Sequence, residues 1–229
     1  MKNILIVGGS SGIGLALVEQ LAEDHNVFVA SRTSESLVGK NCTHLPYDVM
    51  SQELDVSLLP ELHGFVYCPG SINLRPFKGL KPETFQADFD LNVMGAIKSL
   101  QALGKNLQAT THASVVFYST VAVQTGMPFH ASVAAAKGAL EGLTRSLAAE
   151  WAPKIRVNCI APSLVNTPLA DKFLNNEAKM EKAGERHPLQ RVGTAKEIAE
   201  ATAYLLSEKS GWMTGQIIQI DGGIGTLKT

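Results

Sequence analysis

At 229 residues, 45% of them hydrophobic, the chain is long enough to bury one substantial core and needs no second domain. Lysine and arginine number 20 against 21 aspartate and glutamate, a formal charge of -1, which argues against a basic groove for nucleic acid and leaves a small molecule as the expected partner. Cys42, Cys68 and Cys159 fit neither a disulfide framework nor zinc-ligand spacing, so no metal site is expected. No run of about 18 apolar residues is present for a bilayer. The apolar start after Met1-Lys2 is cut by Gly8 and Gly9, too early for a signal peptide, so no membrane partner and a cytoplasmic location are expected.

The branched run Ile4-Leu5-Ile6-Val7 predicts a buried strand, and Leu15 to Glu23 has the apolar spacing of a helix. Between them stands Gly8-Gly9-Ser10-Ser11-Gly12-Ile13-Gly14. Gly8 permits a tight turn, Gly12 lets backbone approach a pyrophosphate, and Gly14 lets the helix pack close to the strand, with the helix dipole facing the anion. Alone such a triplet is a weak signal, since a ligand-free connection can use the same residues. Val27 to Ser31 reads as the second strand, whose carboxyl end should meet an adenosine ribose. There the chain carries Ser31-Arg32, a hydroxyl and a guanidinium suited to a 2′-phosphate rather than the carboxylate suited to a free 2′-hydroxyl, which favours NADP(H) over NAD(H). Arg32 as a solvated loop side chain and the nearby Glu35 are the counterweights.

Thr33 to Asn41 leaves scarcely any room for a crossover helix. A third strand is expected over Thr43 to Tyr47, followed by Asp48-Val49, where Asp48 either accepts from an adenine amino group or caps a short helix beginning near Ser51. Gly64 to Tyr67 is the fourth strand, and Cys68-Pro69-Gly70 turns towards the cofactor crevice. Beyond Pro82 a long helical pattern runs from Phe85 to Leu103 with polar Asn92 upon it. Ser114 to Tyr118 forms the next strand, with Ser119-Thr120 at its carboxyl end. The helix Ser132 to Trp151 carries Lys137 among small residues and stops at Pro153. Ile155 to Ile160, a helix capped by Thr194 and Glu197 and running to Leu206, and a last strand from Gln216 to Ile220 complete the alternation. Residues from about 163 to 190 read as a movable cover for substrate. The order implies a three-layer, doubly wound α/β fold of Rossmann type, with a mainly parallel sheet of about seven strands and its ligand at their carboxyl ends, in one domain over residues 1–229.

Gly8-x-x-x-Gly12-x-Gly14, Asp48-Val49, Asn92, Lys137-Gly138-Ala139, Arg156-Val157-Asn158 with Pro162, Thr167-Pro168 and Asp221-Gly222-Gly223 fall in one order from about Lys2 to Gly223. In that order they resemble the short-chain dehydrogenase/reductase family. The resemblance implies hydride transfer between a nicotinamide cofactor and a small carbonyl, alcohol or conjugated C=C substrate. It further implies that Lys137 binds the nicotinamide ribose, that Pro162, Val165 and Thr167 hold the carboxamide, that Asn92 supports a water relay, and that the chain forms a homodimer or homotetramer.

The family's proton donor is a tyrosine four residues before the lysine, and here that residue is Val133. The serine that polarises the carbonyl aligns with Thr120. His130 is the candidate replacement, because an imidazole exchanges protons near neutrality and because 130, 133 and 137 share one helix face, about 10 Å apart end to end. Tyr118, Tyr67 and Thr120 are weaker alternatives. Two further readings stay open: a substrate protonated through water, and a protein that binds NADP(H) without turnover as a sensor or assembly subunit.

Overall fold

The computed structural model describes residues 1–228. Its central sheet comprises β1 (Asn3–Val7), β2 (Asn26–Ser31), β3 (Cys42–Pro46), β4 (Gly64–Tyr67), β5 (Ala113–Tyr118) and β6 (Ile155–Pro162). Two short strands, β7 (Val165–Asn166) and β8 (Gly193–Thr194), pair apart from it, and β9 (Ile217–Ile220) completes the main sheet in the parallel order β3-β2-β1-β4-β5-β6-β9. The helices are α1 (Gly12–Leu21), α2 (Pro82–Phe89), α3 (Gly95–Ala102), α4 (Gly104–Gln108), α5 (Ala122–Thr125), α6 (Ala131–Trp151), α7 (Asp171–Leu174), α8 (Glu177–Gly184) and α9 (Ala195–Leu206).

Strand periodicity explains the layers. Leu5, Val7, Phe65, Tyr67, Val115, Phe117 and Val157 project to one face, where Ala136 and Leu140 of α6, Val93 and Leu100 cover them. Ile4, Ile6, Val27, Val29, Val66, Val116 and Ile160 project to the other, under Leu17 and Val18 of α1 and Ile198 and Leu205 of α9. Alternate residues thus feed two cores, which is why the strands read as continuous apolar runs rather than as an alternation. Truncating a fully buried ring such as Phe65 or Phe117 to alanine would cost about 3–5 kcal/mol. The chain leaves β1 towards β2 and β3 on one side and returns to β4 on the other, so a crevice opens at the carboxyl ends of β1 and β4.

Two expectations need correction. No helix begins near Ser51. Instead Asp48 turns the chain by accepting the Met50 N–H at 3.0 Å, with Gln52 Oε1 accepting the Asp48 N–H at 2.6 Å, and the stretch to His63 has no helical spacing to propagate. The long helix expected to Leu103 is broken by a single π turn over Asp90–Met94, which apolar periodicity does not reveal because residues on both sides still face the core. Residues 163–190 contain two short helices, α7 and α8, and the strand β7, whose pairing with β8 had no sequence signal. The trimmed β2–β3 connection holds only a single 3₁₀ turn, Glu35–Leu37. The Thr194 cap forms as read: Thr194 Oγ1 accepts the Glu197 N–H at 3.3 Å and Glu197 Oε2 accepts the Thr194 N–H at 2.9 Å.

Candidate functional site

The glycine turn is crowded into its conformation. Gly8 and Gly12 have φ of 79° and 54°, a region that costs glycine nothing. A Cβ on Gly14 would collide with the Gly8 carbonyl oxygen, and one on Gly8 would lie 3.1 Å from Pro69 Cδ, so α1 and the turn after β4 both press on this loop. Ser11 precedes α1 in extended conformation without a side-chain capping bond, and no acid occupies the first turn. The leading N–H groups of α1 are therefore left for an anion.

A cleft of about 910 Å³ runs from this turn to α6. It is lined by Gly8, Ser10, Ser11, Gly12, Ile13 and Gly14, by Ser31 and Arg32, by Asp48 and Val49, by Pro69 and Gly70, and by Thr120, His130, Val133, Lys137, Pro162, Val165 and Thr167. Asn92 stands outside this lining, fully buried behind Gly70. Thr167 folds over the glycine turn, with its Cβ 3.4 Å from the point where Gly12 would carry one.

At the outer end Ser31 is buried and its hydroxyl donates to the Thr33 carbonyl at 2.8 Å, leaving Arg32 exposed on the cleft wall. Arg32 has no ion-pair partner among the described residues, and Glu35 accepts the Ser34 N–H at 3.1 Å instead of engaging it. A free guanidinium beside a nucleotide-sized cleft suits a phosphate.

At the inner end burial pushes Lys137 down to about 8, an effect opposed in turn by Cys159, Cys68 and Asp88. Its Nζ makes no hydrogen bond to protein among the described residues, and it faces the space over Gly70, 3.3 Å from the position of an imagined Cβ there. Val133, one turn earlier, is 5% exposed and places an isopropyl group on the wall. The two hydroxyls after β5 divide their work. Ser119 donates to Glu141 Oε1 at 2.6 Å, while Thr120 accepts the Ala122 N–H at 3.3 Å and keeps its own proton for the cleft. His130 is the N-cap residue of α6, and its Nδ1 lies 2.8 Å from the Pro128 carbonyl. A carbonyl accepts only, so Nδ1 carries the hydrogen and Nε2 is the nitrogen left to exchange a proton.

Both tyrosines considered as proton donors are removed from contention. Tyr67 is not part of the cleft lining, and its hydroxyl donates to the Leu91 carbonyl at 2.6 Å. Tyr118 contributes to the cleft wall, but its hydroxyl points to the other face of the sheet and bonds Thr202 of α9 at 2.7 Å. Burial raises the ionisation of both well beyond the ordinary phenol range. The thiols of Cys68 and Cys159 are pushed up to about 12 by burial, which leaves both unreactive.

Sequence reading missed a polar cluster behind Gly70. Asp88, 1% exposed, accepts from Ser71 Oγ at 2.5 Å and Asn73 Nδ2 at 2.7 Å, and Asn92 Nδ2 donates to Ser71 Oγ at 3.0 Å. The available signal was spacing, since Asp88 and Asn92 are four apart on one helical pattern. It also missed the charge on the segment 163–190. Lys179, Lys182 and Arg186, spaced to share a helix face, line the cleft, whereas Glu177, Glu181 and Glu185 do not. Asp48, at the far end, is the only carboxylate in the lining among the described residues. His187, also unnoticed, joins the cover to the sheet through Ser163 at 2.8 Å. Among the described residues no cluster of His, Cys, Asp and Glu is suited to a metal, and no helix is long and apolar enough to cross a membrane.

Comparison with known proteins adds descent to this geometry. A family model described as enoyl-(acyl carrier protein) reductase matches residues 7–225. A 2,5-dichloro-2,5-cyclohexadiene-1,4-diol dehydrogenase from Sphingobium indicum is 33% identical over 245 residues, covering 99% of this chain and 98% of that protein. The crystal structure of a short chain dehydrogenase family protein from Francisella tularensis superposes with a TM-score of 0.88 at 31% identity, covering 99% of this chain and all of that one. ElxO with NADP bound superposes with a TM-score of 0.89 at 26% identity, covering 99% of this chain and 100% of that one. A variant of ElxO with one tyrosine changed to phenylalanine has a structure with NADPH bound.

Proposed function

The chain belongs to the short-chain dehydrogenase/reductase family of oxidoreductases, whose cofactor is a nicotinamide dinucleotide, and from that premise we propose that it uses NADP(H) to reduce a small carbonyl or conjugated C=C substrate, or to oxidise the corresponding alcohol. The observation that carries the reading is one continuous cleft joining the glycine turn, the unpaired Arg32 and the buried Lys137. Bound along it, the dinucleotide supplies or takes up a hydride. The glycine turn and the N-terminus of α1 hold the diphosphate, Arg32 receives the 2′-phosphate beside Ser31, and Asp48 and Val49 flank the adenine. Lys137 takes the nicotinamide ribose, and Pro162, Val165 and Thr167 take the carboxamide.

At the reacting end Thr120 donates a hydrogen bond to the substrate oxygen, and His130 delivers the proton from Nε2 in place of the family's tyrosine, with the Lys137 ammonium group stabilising negative charge on that oxygen. Val133 keeps this wall dry and offers no proton. Lys182 and Arg186, whose neighbouring glutamates do not line the cleft, favour a substrate with a carboxylate or phosphate away from the reacting carbon. The open face of α6, where a Cβ on Gly142 would meet nothing within 4 Å, favours a homo-oligomer.

Calorimetry with NADPH and NADH, followed by NADPH oxidation with paired charged and uncharged ketones, enones and imines, tests the reading. Uptake of neither dinucleotide overturns it. Stoichiometric NADPH uptake with no oxidation across the panel favours a sensor or assembly subunit, the reading to which buried Val133 lends weight.

A further inference from the structure

Three buried side-chain atoms find no hydrogen-bond partner among the described residues, and two of them, Asp88 Oδ2 and Asn92 Oδ1, belong to the cluster behind Gly70. Both are acceptors sealed from solvent, a condition that costs about 1–3 kcal/mol per group unless a donor meets it. The donor at hand is Lys137. An imagined Cβ on Gly70 would lie 3.2 Å from Asn92 Oδ1 and 3.3 Å from Lys137 Nζ, so amide and ammonium group border one small space. Asp88 sits on α2, which packs on α6, and is tied to Asn92 through the shared Ser71 hydroxyl, without a direct ion pair to Lys137 among the described residues.

We propose that Asp88 is a positioning residue for Lys137: its buried carboxylate is the counter-charge that keeps the ammonium group protonated and held beside Asn92 over Gly70, in a cleft with no phenol at position 133. The groups that face Lys137 are few. Cys159 on β6 and Cys68 after β4 both titrate at about 12 and carry no charge at neutral pH. Glu141, one turn along α6, is engaged by Ser119 with Arg145 near it, and His130 stands two turns back. Asp88 is thus the anion facing Lys137 at neutral pH. Its Oδ1 also anchors the loop after β4 through Ser71 and Asn73, but an amide oxygen would anchor that loop equally well. The anchoring role survives Asp88→Asn; the counter-charge does not.

The inference rests on the proposed function only for its consequence in turnover, because the ionisation of Lys137 is measurable without cofactor or substrate. Competitive acetylation with acetic anhydride across pH, read by mass spectrometry of the Lys137 peptide against exposed Lys105, gives its midpoint. In Asp88→Asn the midpoint moves acidward by about one pH unit, so that well below it Lys137 reacts about tenfold faster, and Asp88→Glu restores the wild-type profile. An unchanged midpoint in folded Asp88→Asn overturns the proposal. Should that variant not fold, the reciprocal measurement decides: in Lys137→Met the Asp88 carboxyl carbon, followed by NMR, must titrate at higher pH than in the wild type, and an unmoved titration refutes the coupling. Loss of dinucleotide uptake with an intact midpoint shift would sink the functional reading and leave this one standing.

Discussion

Replacing Lys137 by methionine should make the protein more stable while silencing it. The lysine is 8% exposed, and burial lowers it from 10.5 to about 8. At about 1.36 kcal/mol per pH unit, that difference means roughly 3 kcal/mol is spent holding the charge in place at pH 7, with the attraction of Asp88 already included. Between about pH 8 and pH 10.5 the unfolded chain binds a proton at this position that the folded protein has released, so folding stability rises with pH across that window. Below it the full cost is present, and above it the cost has gone. Methionine fills the same volume without charge, so Lys137→Met should gain about 3 kcal/mol at pH 7 and lose that advantage progressively towards pH 10.5. Urea unfolding of both proteins at pH 6, 7, 8.5 and 10 measures the difference directly. A Lys137→Met protein no more stable than wild type at pH 7, or an advantage constant across pH, would refute the buried-charge reasoning.

Three other outcomes test the cleft itself. Arg32→Ala should weaken NADPH by about 10- to 100-fold, the value of a charged hydrogen-bonding partner, and leave NADH little changed in calorimetry; equal losses for both would remove the 2′-phosphate contact. His130→Ala should lower kcat by about 10²-fold or more with NADPH affinity unaltered, and adding Val133→Tyr should recover part of the loss by restoring a phenol one turn before Lys137; full turnover in His130→Ala ends the histidine proposal. Lys182→Ala combined with Arg186→Ala should raise KM about three- to tenfold for a carboxylate- or phosphate-bearing substrate and leave its uncharged analogue unaffected; equal changes for the pair would show that these cations do not meet substrate.

What the sequence disclosed was local, and what it hid was brought together by packing. Gly8, Gly12 and Gly14 act within one strand–turn–helix, so their purpose is visible from neighbours in the chain. Thr194 and Glu197 close a capping box three residues apart and are legible for the same reason. Asp88 is different. Its carboxylate acquires meaning only when α2 lies against α6 and the turn after β4 brings Ser71 between them, three segments separated by many residues. The π turn at Asp90–Met94 was hidden because the pattern of buried residues continues through it, although it lies within the same polar cluster.

One miss was avoidable on physical grounds. Tyr118 lies on the same strand as Phe117, and alternation along a strand sends adjacent side chains to opposite faces. Lys137 rides on α6, whose Ala136 and Leu140 cover the Phe117 face, so Tyr118 had to point away from it, towards α9. Parity along β5 therefore discards this phenol without coordinates, once the face covered by α6 is fixed by a single buried pair. The same reasoning bears on the replacement for the missing tyrosine: a proton donor for this cleft has to come from the α6 side or from the loops at the strand ends. Among the groups that do, the Thr120 hydroxyl and the Lys137 ammonium group donate to no other side chain or carbonyl among the described residues, and His130 Nε2 is free to take up and release a proton.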